Sequence, residues 1–523
     1  MLPFRFPMIT SKTAPPRSIL SPVTQEGSQF QTLQRSLIHQ FKNAFPDRLA
    51  HKTIVVVPSL TLDREMLTKL VGQIYYEERM LCLLMLLRMP NTHVIYVTST
   101  PIDTVIIDYY LHLLPGITGY HASKRLTVLS CHDSSPVSLT EKILKRERLV
   151  KRIKKMIPSD HAAHLVCFNV TDLEKQLALA LGIPVYGCDP DLSWLGTKSG
   201  SRQVFKTVGV DTPNGRENLF TKQDIIDSLC ELKMENPSLT KAVIKLNDGF
   251  SGDGNAVFYY GQDTQKDMKK IIADSFEANT KVIARNLGIK SFLEKFEAGG
   301  GVVETFIEQT VKSSPSVQCR VNPLGEIDII STHDQMLEGV ENQVFTGAYF
   351  PANAEYTRDV AALSMKISKE LASYGVLGRF SIDFISVREG TKWKHYAIEI
   401  NLRKGGTTHP FLMLQFLTGG HYNAELGKFF TATGQERSYF ASDNVIIESC
   451  KGLIPADLID IAMLHDLLYD GTRQEGVMFH MISALSEYGK IGMVCIGKSP
   501  EGAKQLFDKT IEILEMEGHR ISD

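Results

Sequence analysis

Between about residues 50 and 195, short apolar, β-branched runs recur at helix-length intervals: TIVVVP, HVIYVTS, RLTVLSC and HLVCFNV. Near-continuous apolar runs of this kind are strands covered on both faces, and strands alternating with helices predict a parallel sheet packed by helices, an α/β domain over 49–196. Thr171 and Asp172 open a capped helix that Gly182-Ile183-Pro184 closes. The longest apolar stretch, MLCLLMLL at 80–87, is bracketed by Arg79 and Arg88. It falls far short of the roughly 20 residues that cross a bilayer and reads as a buried helix. No glycine-rich dinucleotide fingerprint follows any of these strands, which speaks against a nicotinamide site.

From residue 198 the pattern changes. Helices are predicted over 198–208, ending at Gly209, and over 221–235. KAVIKL and NAVFYYG are strands joined by the loop NDGFSGDG, and GVVETFIEQ, SVQCRVNP and EIDIISTHDQML read as antiparallel strands. A helix over 357–374 precedes GRFSIDFISV and KHYAIEINL, a predicted hairpin. This is an α+β unit over 197–440. A small α/β unit follows over 441–523, with strands at VIIES, VMFHMISAL and KIGMVCIG and helices at 457–469 and 500–517. Residues 1–48 read as a flexible tail. Its first part carries Arg5, Lys12 and Arg17 with no acid before Glu26, a composition that also suits an organelle transit peptide.

Charge and cysteine usage narrow the classes. With 57 basic and 59 acidic residues in 523, there is no basic excess of the kind a dedicated nucleic-acid binder shows, and no membrane segment. The eight cysteines are scattered without a C-x-x-C pair, which argues against zinc and against a disulfide framework. Buried free thiols in a reducing compartment, the cytoplasm, fit better. Gly492 to Ser499 satisfies the G-x-x-x-x-G-K-S phosphate-loop pattern, but its variable residues Met-Val-Cys-Ile are themselves the strand, and Ser499-Pro500 reads as a helix start.

Three segments carry chemistry. In AVIKLNDGFSGDGNAVF, Lys245 ends a strand and Ser251 stands in a loop with Gly249, Gly252 and Gly254, which lets backbone N–H groups approach phosphate. A snorkelling lysine and a plain hairpin turn would look the same. In HYAIEINLRKGGTTHP, Glu399 and Asn401 share one strand face, with Arg403 on it if the strand continues. Asp383 in the preceding strand can meet Glu399, and such a set suits Mg²⁺, or Mn²⁺ in its place, bridging phosphates. In GVVETFIEQ, Glu304 offers adenine a carbonyl or its carboxylate, and Ile307 its main chain.

In this order and spacing, the segments resemble the ATP-grasp family: an early lysine, a second lysine before a glycine-rich loop, an E-x-x-[IL] hinge, an acidic strand, then Glu399-Ile-Asn401-Leu-Arg403. PSLTLDREML, YYEERMLCLLMLLR, LTEKIL, HLVCFNVTDLEKQLALALGIPVYG and LGTKSGSRQVF further resemble the Rossmann-like pre-ATP-grasp domain of peptide ligases related to the pheganomycin-forming one, which also carry a small C-terminal domain. The resemblance implies that Lys198 and Lys245 contact ATP phosphates, and that Ser251, Gly252 and Gly254 close over them. It places Glu304, Phe306 and Ile307 at the adenine, Asp383, Glu399 and Asn401 on Mg²⁺, and Arg403 at the transferred phosphoryl group. The acid that usually holds the ribose has no counterpart near Val311 and Lys312. Lys404, His409, Arg320 and Arg379 are further candidates for holding substrate, and Gly405 and Gly406 for an oxyanion site. The implied activity is ATP-dependent ligation of a small-molecule carboxylate, an amino acid or peptide, to an amine. A kinase acting on a hydroxyl and a non-catalytic nucleotide-binding module use the same nucleotide residues, and homo-oligomerisation stays open.

Overall fold

The structure is a computed structural model in which residues 25–62, 64–249, 254–261, 267–284, 287–308, 311–338 and 344–522 are described. The predicted parallel sheet consists of β1 (Lys52–Val57), β2 (Thr92–Thr98), β3 (Leu126–Ser130) and β4 (Ala162–Cys167), in the order β3-β2-β1-β4. Both faces of β1 are buried. Val55 and Val57 face one core with Leu165 and Leu177; Ile54 and Val56 face another with Leu81 and Leu84. That double burial is why these strands read as continuous apolar runs.

Two expectations for this region change. Residues 25–43, placed within a flexible tail, form a helix, Gln25–Asn43. Its Phe30 and Leu37 are fully buried, and Gln34 accepts from Val185 N–H (2.8 Å) and donates to Val185 O (2.9 Å), so it is stitched beside β4. The basic, acid-poor stretch 1–24 lies outside the described residues. The apolar run at 80–87 is buried as expected, but as part of a 3₁₀ helix, Gln73–Arg88. Arg79 is buried with it, its guanidinium over the rings of Tyr76 and Phe168 and bonded to Asp443 (3.0 Å).

A second sheet holds β5 (Gly215–Leu219), β6 (Lys241–Leu246), β7 (Asn255–Tyr259), β8 (Thr280–Val282) and β9 (Gly301–Thr305), ordered β5-β9-β6-β7-β8. The third is antiparallel. It runs β10 (Lys312–Ser313), β14 (Gly378–Glu389), β11 (Pro315–Val321), β12 (Ile327–Glu338), β13 (Val344–Phe350), and β15 (Lys392–Asn401) also pairs with β14. After a small hairpin, β16 (His421–Asn423) and β17 (Lys428–Phe430), the same sheet continues through β18 (Ser438–Ile446), β20 (Lys490–Gly497) and β19 (Gly476–His480). The boundary expected at 440/441 therefore falls inside β18, whose Ala441 is registered with Ala348 of β13. The phosphate-loop look-alike is β20 itself, buried throughout, and Ser499 Oγ accepts from Gly502 N–H (3.1 Å) as a helix cap. The helices expected at 457–469 and 500–517 are Pro455–Leu464 and Pro500–Ser522. The cysteines are unpaired, and all but Cys230 are buried.

The parallel and antiparallel sheets meet where β14 begins. Gly378 has φ +94°, and a Cβ there would lie 3.0 Å from Gly187 Cα. Both the left-handed backbone and the close approach demand glycine. Gly378→Ala is expected to lower stability by about 1–3 kcal/mol, read as a lower Tm; an unchanged Tm would show that the junction gives way freely.

Candidate functional site

A cleft of about 680 Å³ lies between the second and third sheets. One wall starts with helix Lys198–Thr207, capped by Thr197 Oγ1, which accepts from Gly200 N–H (3.0 Å). Lys198 in its first turn reaches across the cleft to Glu399 Oε1 (2.5 Å). Arg202, one turn on and on the same face, bonds Glu304 (2.5 Å) and Glu217 (3.1 Å). Lys245 at the end of β6 meets the other oxygen of Glu304 (2.6 Å). Glu304 is 2% exposed. Burial alone would raise its carboxyl, but Lys245 and Arg202 more than offset that and hold it below the usual carboxylate range.

The opposite wall is the β14–β15 hairpin. Asp383 is registered with Glu399 and Ser381 with Asn401, so the four side chains share one face. An irregularity after Asp383 resets the register beyond them. Asn401 Nδ2 donates to Asp383 Oδ2 (3.0 Å). Burial, and then the Glu399 carboxylate, push the Asp383 carboxyl up to about 6, against the opposing pull of a Ser316 hydrogen bond, Arg403 and Lys198. Burial lowers Arg403, while Glu399 and Asp383 support its charge. Two facing carboxylates with a neighbouring amide oxygen, one carboxyl destabilised as an anion, form a donor set that a divalent cation completes. Among the described residues no cluster of three or more His, Cys, Asp or Glu stands ready for a metal. Mg²⁺ takes one or two protein carboxylates and draws its other oxygens from phosphates and water, so a pair such as Asp383 and Glu399 is enough to hold it.

Lys198, Lys245, Gly254, Glu304, Phe306, Ile307, Asp383, Glu399, Asn401 and Arg403 all line this one cleft. Gly249 and Gly254 do so at the stems of the glycine-rich loop, where a Cβ on Gly254 would come within 3.1 Å of Gly249 Cα. Ser251 and Gly252 lie outside the described residues. The carboxylate of Glu304 is taken up by two cations, and its backbone is registered between Gly215 of β5 and Val243 of β6.

The substrate candidates need correction. Lys404 turns away from the cleft and donates to Cys167 O at the end of β4 (2.6 Å). His409 is buried behind the cleft, Nε2 to Nε2 with His480 at 2.9 Å, and burial holds its imidazole well below its ordinary pKa. Arg320 is bonded through two nitrogens to Asp328 (3.0 and 2.6 Å), and Arg379 stands opposite it in register; neither lines the cleft. Arg320 and Arg379 share the strand face of Ser316 and Asp383 but lie four residues further along, beyond the site, while Lys404 follows Arg403 on the other side of the chain. Of the two oxyanion candidates, both of which line the cleft, Gly405 has its N–H bonded to Thr408 Oγ1 (3.0 Å).

Several cleft residues went unrecognised from sequence. Arg202, which braces the cleft wall through Glu304 without lining the cleft, was detectable as the i+4 neighbour of Lys198. Ser316, Lys312 and Asp334 do line it, but a serine, a lysine and an aspartate in ordinary strands carry no signal. Asp334 is itself bonded to Tyr356 OH (2.5 Å) and Asn353 N–H (2.8 Å).

The sequence matches the family described as IQCH-like, ATP-grasp over residues 192–269 and 264–425, and the PGM1 C-terminal domain over 457–510. Similar proteins include the L-propargylglycine–L-glutamate ligase of Streptantibioticus cattleyicolor, 26% identical over 438 residues that cover 82% of this chain and 87% of that one. The IQ motif-containing protein H of Danio rerio is 23% identical over 523 residues, covering 90% of this chain and 49% of that one, so the chain spans about half the length of this relative. In fold, the chain is similar to an ADP complex of N5-carboxyaminoimidazole ribonucleotide synthetase (TM-score 0.50, 13% identity, 90% of this chain and 98% of that one). It is also similar to the biotin carboxylase domain of Hydrogenobacter thermophilus 2-oxoglutarate carboxylase (TM-score 0.52, 14% identity, 88% and 90%).

Two outcomes follow from the geometry. Glu304→Ala leaves Arg202 and Lys245 buried without their shared anion and is expected to cost about 3–5 kcal/mol in urea unfolding; a loss below 1 kcal/mol would mean water already reaches them. The raised Asp383 carboxyl sets a pH dependence. Between about pH 4 and 6 the folded chain keeps a proton there that the unfolded chain has lost, so its contribution to stability falls as pH rises through that window and is level above it. Without divalent cations, Asp383→Asn should flatten that slope in Tm against pH; the same slope in the variant would sink the assignment.

Proposed function

From an ATP-grasp domain spanning residues 192–425, we propose that the chain is an ATP-dependent carboxylate–amine ligase that joins an amino acid or short peptide to an amine, releasing ADP and phosphate. The observation that carries this reading is the single cleft in which Lys198 and Lys245 face Asp383, Glu399, Asn401 and Arg403. Asp383, Glu399 and Asn401 would hold Mg²⁺, which neutralises the terminal phosphates and polarises the γ-phosphoryl group when bound.

The chain's own residues do the positioning. Lys198, paired with Glu399, would be available to the phosphates with Glu399 holding Mg²⁺; Lys245, anchored on Glu304, presents a fixed positive charge. Phe306 and Ile307 supply the hinge against which adenine lies. The substrate carboxylate oxygen attacks the γ-phosphorus as ADP departs, giving an acyl phosphate. Arg403 faces the charge that develops there, and its burial makes that interaction strong. The amine then attacks the acyl carbon, loses a proton and expels phosphate, leaving an amide. Exclusion of water protects the acyl phosphate, a task suited to the glycine-rich loop after Lys245. The similarity to a ligase named for two amino acids supports amino acids as the first substrate class to test.

The test is ADP release by the purified chain with Mg-ATP, pooled amino acids and short peptides, and hydroxylamine. ADP and a hydroxamate should appear together and fall at least about 100-fold in Glu399→Ala, with far-ultraviolet circular dichroism unchanged. ADP without hydroxamate would overturn the ligase reading in favour of phosphoryl transfer to a hydroxyl; full activity in the variant would remove Glu399 from the metal set.

A further inference from the structure

Four polar side chains, His164, Tyr186, Arg379 and Lys404, gather within electrostatic reach of one another where β4 meets the start of β14, away from the cleft. Tyr186 and Arg379 sit on either side of the Gly187–Gly378 backbone contact. The rings of Tyr186 and His164 are 6.3 Å apart between centroids. Lys404 reaches in from beyond Arg403 to the end of the same strand, Nζ to Cys167 O at 2.6 Å. Burial, and then the positive charge of Arg379, disfavour the charge of Lys404.

Three members of this group hold a polar atom that is shut off from solvent and has no hydrogen-bond partner: Arg379 Nη1, Tyr186 OH and His164 Nδ1. Buried polar atoms almost always have a partner, so three orphans together mark a place for one. Charge decides its kind. Arg379 and Lys404 bring positive charge into a buried setting, and Asp328, the carboxylate that supports the Arg379 charge, spends its hydrogen bonds on two nitrogens of Arg320. Burial, Lys404 and Lys52 hold His164 neutral, with its imidazole down to about 4, so it adds no compensation. A buried water would satisfy the orphan atoms but leave the guanidinium uncompensated.

We propose that Arg379, Tyr186, His164 and Lys404 form an internal binding site for a small carboxylate anion. A carboxylate offers two oxygens with about four acceptor positions. These match the forked guanidinium, the phenol, one imidazole N–H and the protons of Lys404 not given to Cys167. Arg379, Tyr186 and Lys404 as whole residues are only half-buried, so an anion can exchange with solvent. The occupant is either a free carboxylate ion or the carboxylate end of a small organic molecule. Its binding ties the parallel sheet to the antiparallel one.

The test needs no nucleotide and is therefore independent of the ligase reading. Tm is measured in rising sodium formate against equimolar sodium chloride, for the full chain and for Arg379→Met and Tyr186→Phe. Formate should raise Tm saturably by about 2 °C or more over chloride; Arg379→Met should lose that increment and Tyr186→Phe should reduce it. Acetate and free amino acids in place of formate then separate a bare ion from a larger carboxylate by the midpoint of the same rise. Equal Tm in formate and chloride would overturn the proposal, as would a full formate increment in Arg379→Met. If Arg379→Met does not fold, a full increment in Tyr186→Phe overturns it.

Discussion

Glu304 is the anion on which the cleft's geometry rests. It is almost fully buried, yet stays ionised because one oxygen meets Arg202 and the other Lys245. Those two cations come from different elements, helix Lys198–Thr207 and β6, while Glu304 itself lies on β9, so one carboxylate locks three pieces of backbone at the cleft wall. A buried ion pair is weak evidence for net stability, because desolvation opposes it. Its value here is positional. The helix fixed by Arg202 also carries Lys198 one turn earlier, and β6 fixed through Lys245 feeds the glycine-rich loop. The same bond that holds the wall together sets where both cleft lysines, Lys198 and Lys245, stand.

The opposite wall depends on register rather than on charge. Asp383 and Glu399 face each other only because β14 and β15 pair in one alignment, and a one-residue slip would send every side chain to the wrong face. The buried apolar residues that alternate with the site, Ile382, Phe384 and Ile400, enforce that alignment from the core side. The cost appears as the raised carboxyl of Asp383: two like charges are forced together in a dry place. A cation between the two carboxylates would relieve that cost, so the register that creates it is also what suits the pair to a metal.

Much of this was legible in the sequence because it rests on local periodicity. The alternation in YAIEIN put Glu399 and Asn401 on one face, and the turn between FISV and KHYA brought Asp383 opposite. The apolar runs of β1 to β4 declared a sheet buried on both sides. Long-range partnerships were not legible. Nothing local says that Glu304 is shared between residues 102 and 59 positions away, or that β18 to β20 extend a sheet begun at Lys312. Helix Gln25–Asn43 was missed because a half-polar amphipathic segment beside a basic, acid-poor leader looks like a tail until Phe30 and Leu37 find a core.

The misplaced candidates teach the sharper lesson. Lys404, His409, Arg320 and Arg379 were grouped with the site because they are basic and near it in sequence. Yet the chain leaves the site within one residue of Arg403. Arg403 looks into the nucleotide cleft and Lys404 looks out of it, towards the end of β4. Two adjacent cations thus serve two different compartments on the two sides of a single extended segment. Lys404 N–H also bonds Phe168 O, so the short segment after Asn401 joins the cleft wall directly to the end of β4 and thereby to the packing of the first sheet against the third.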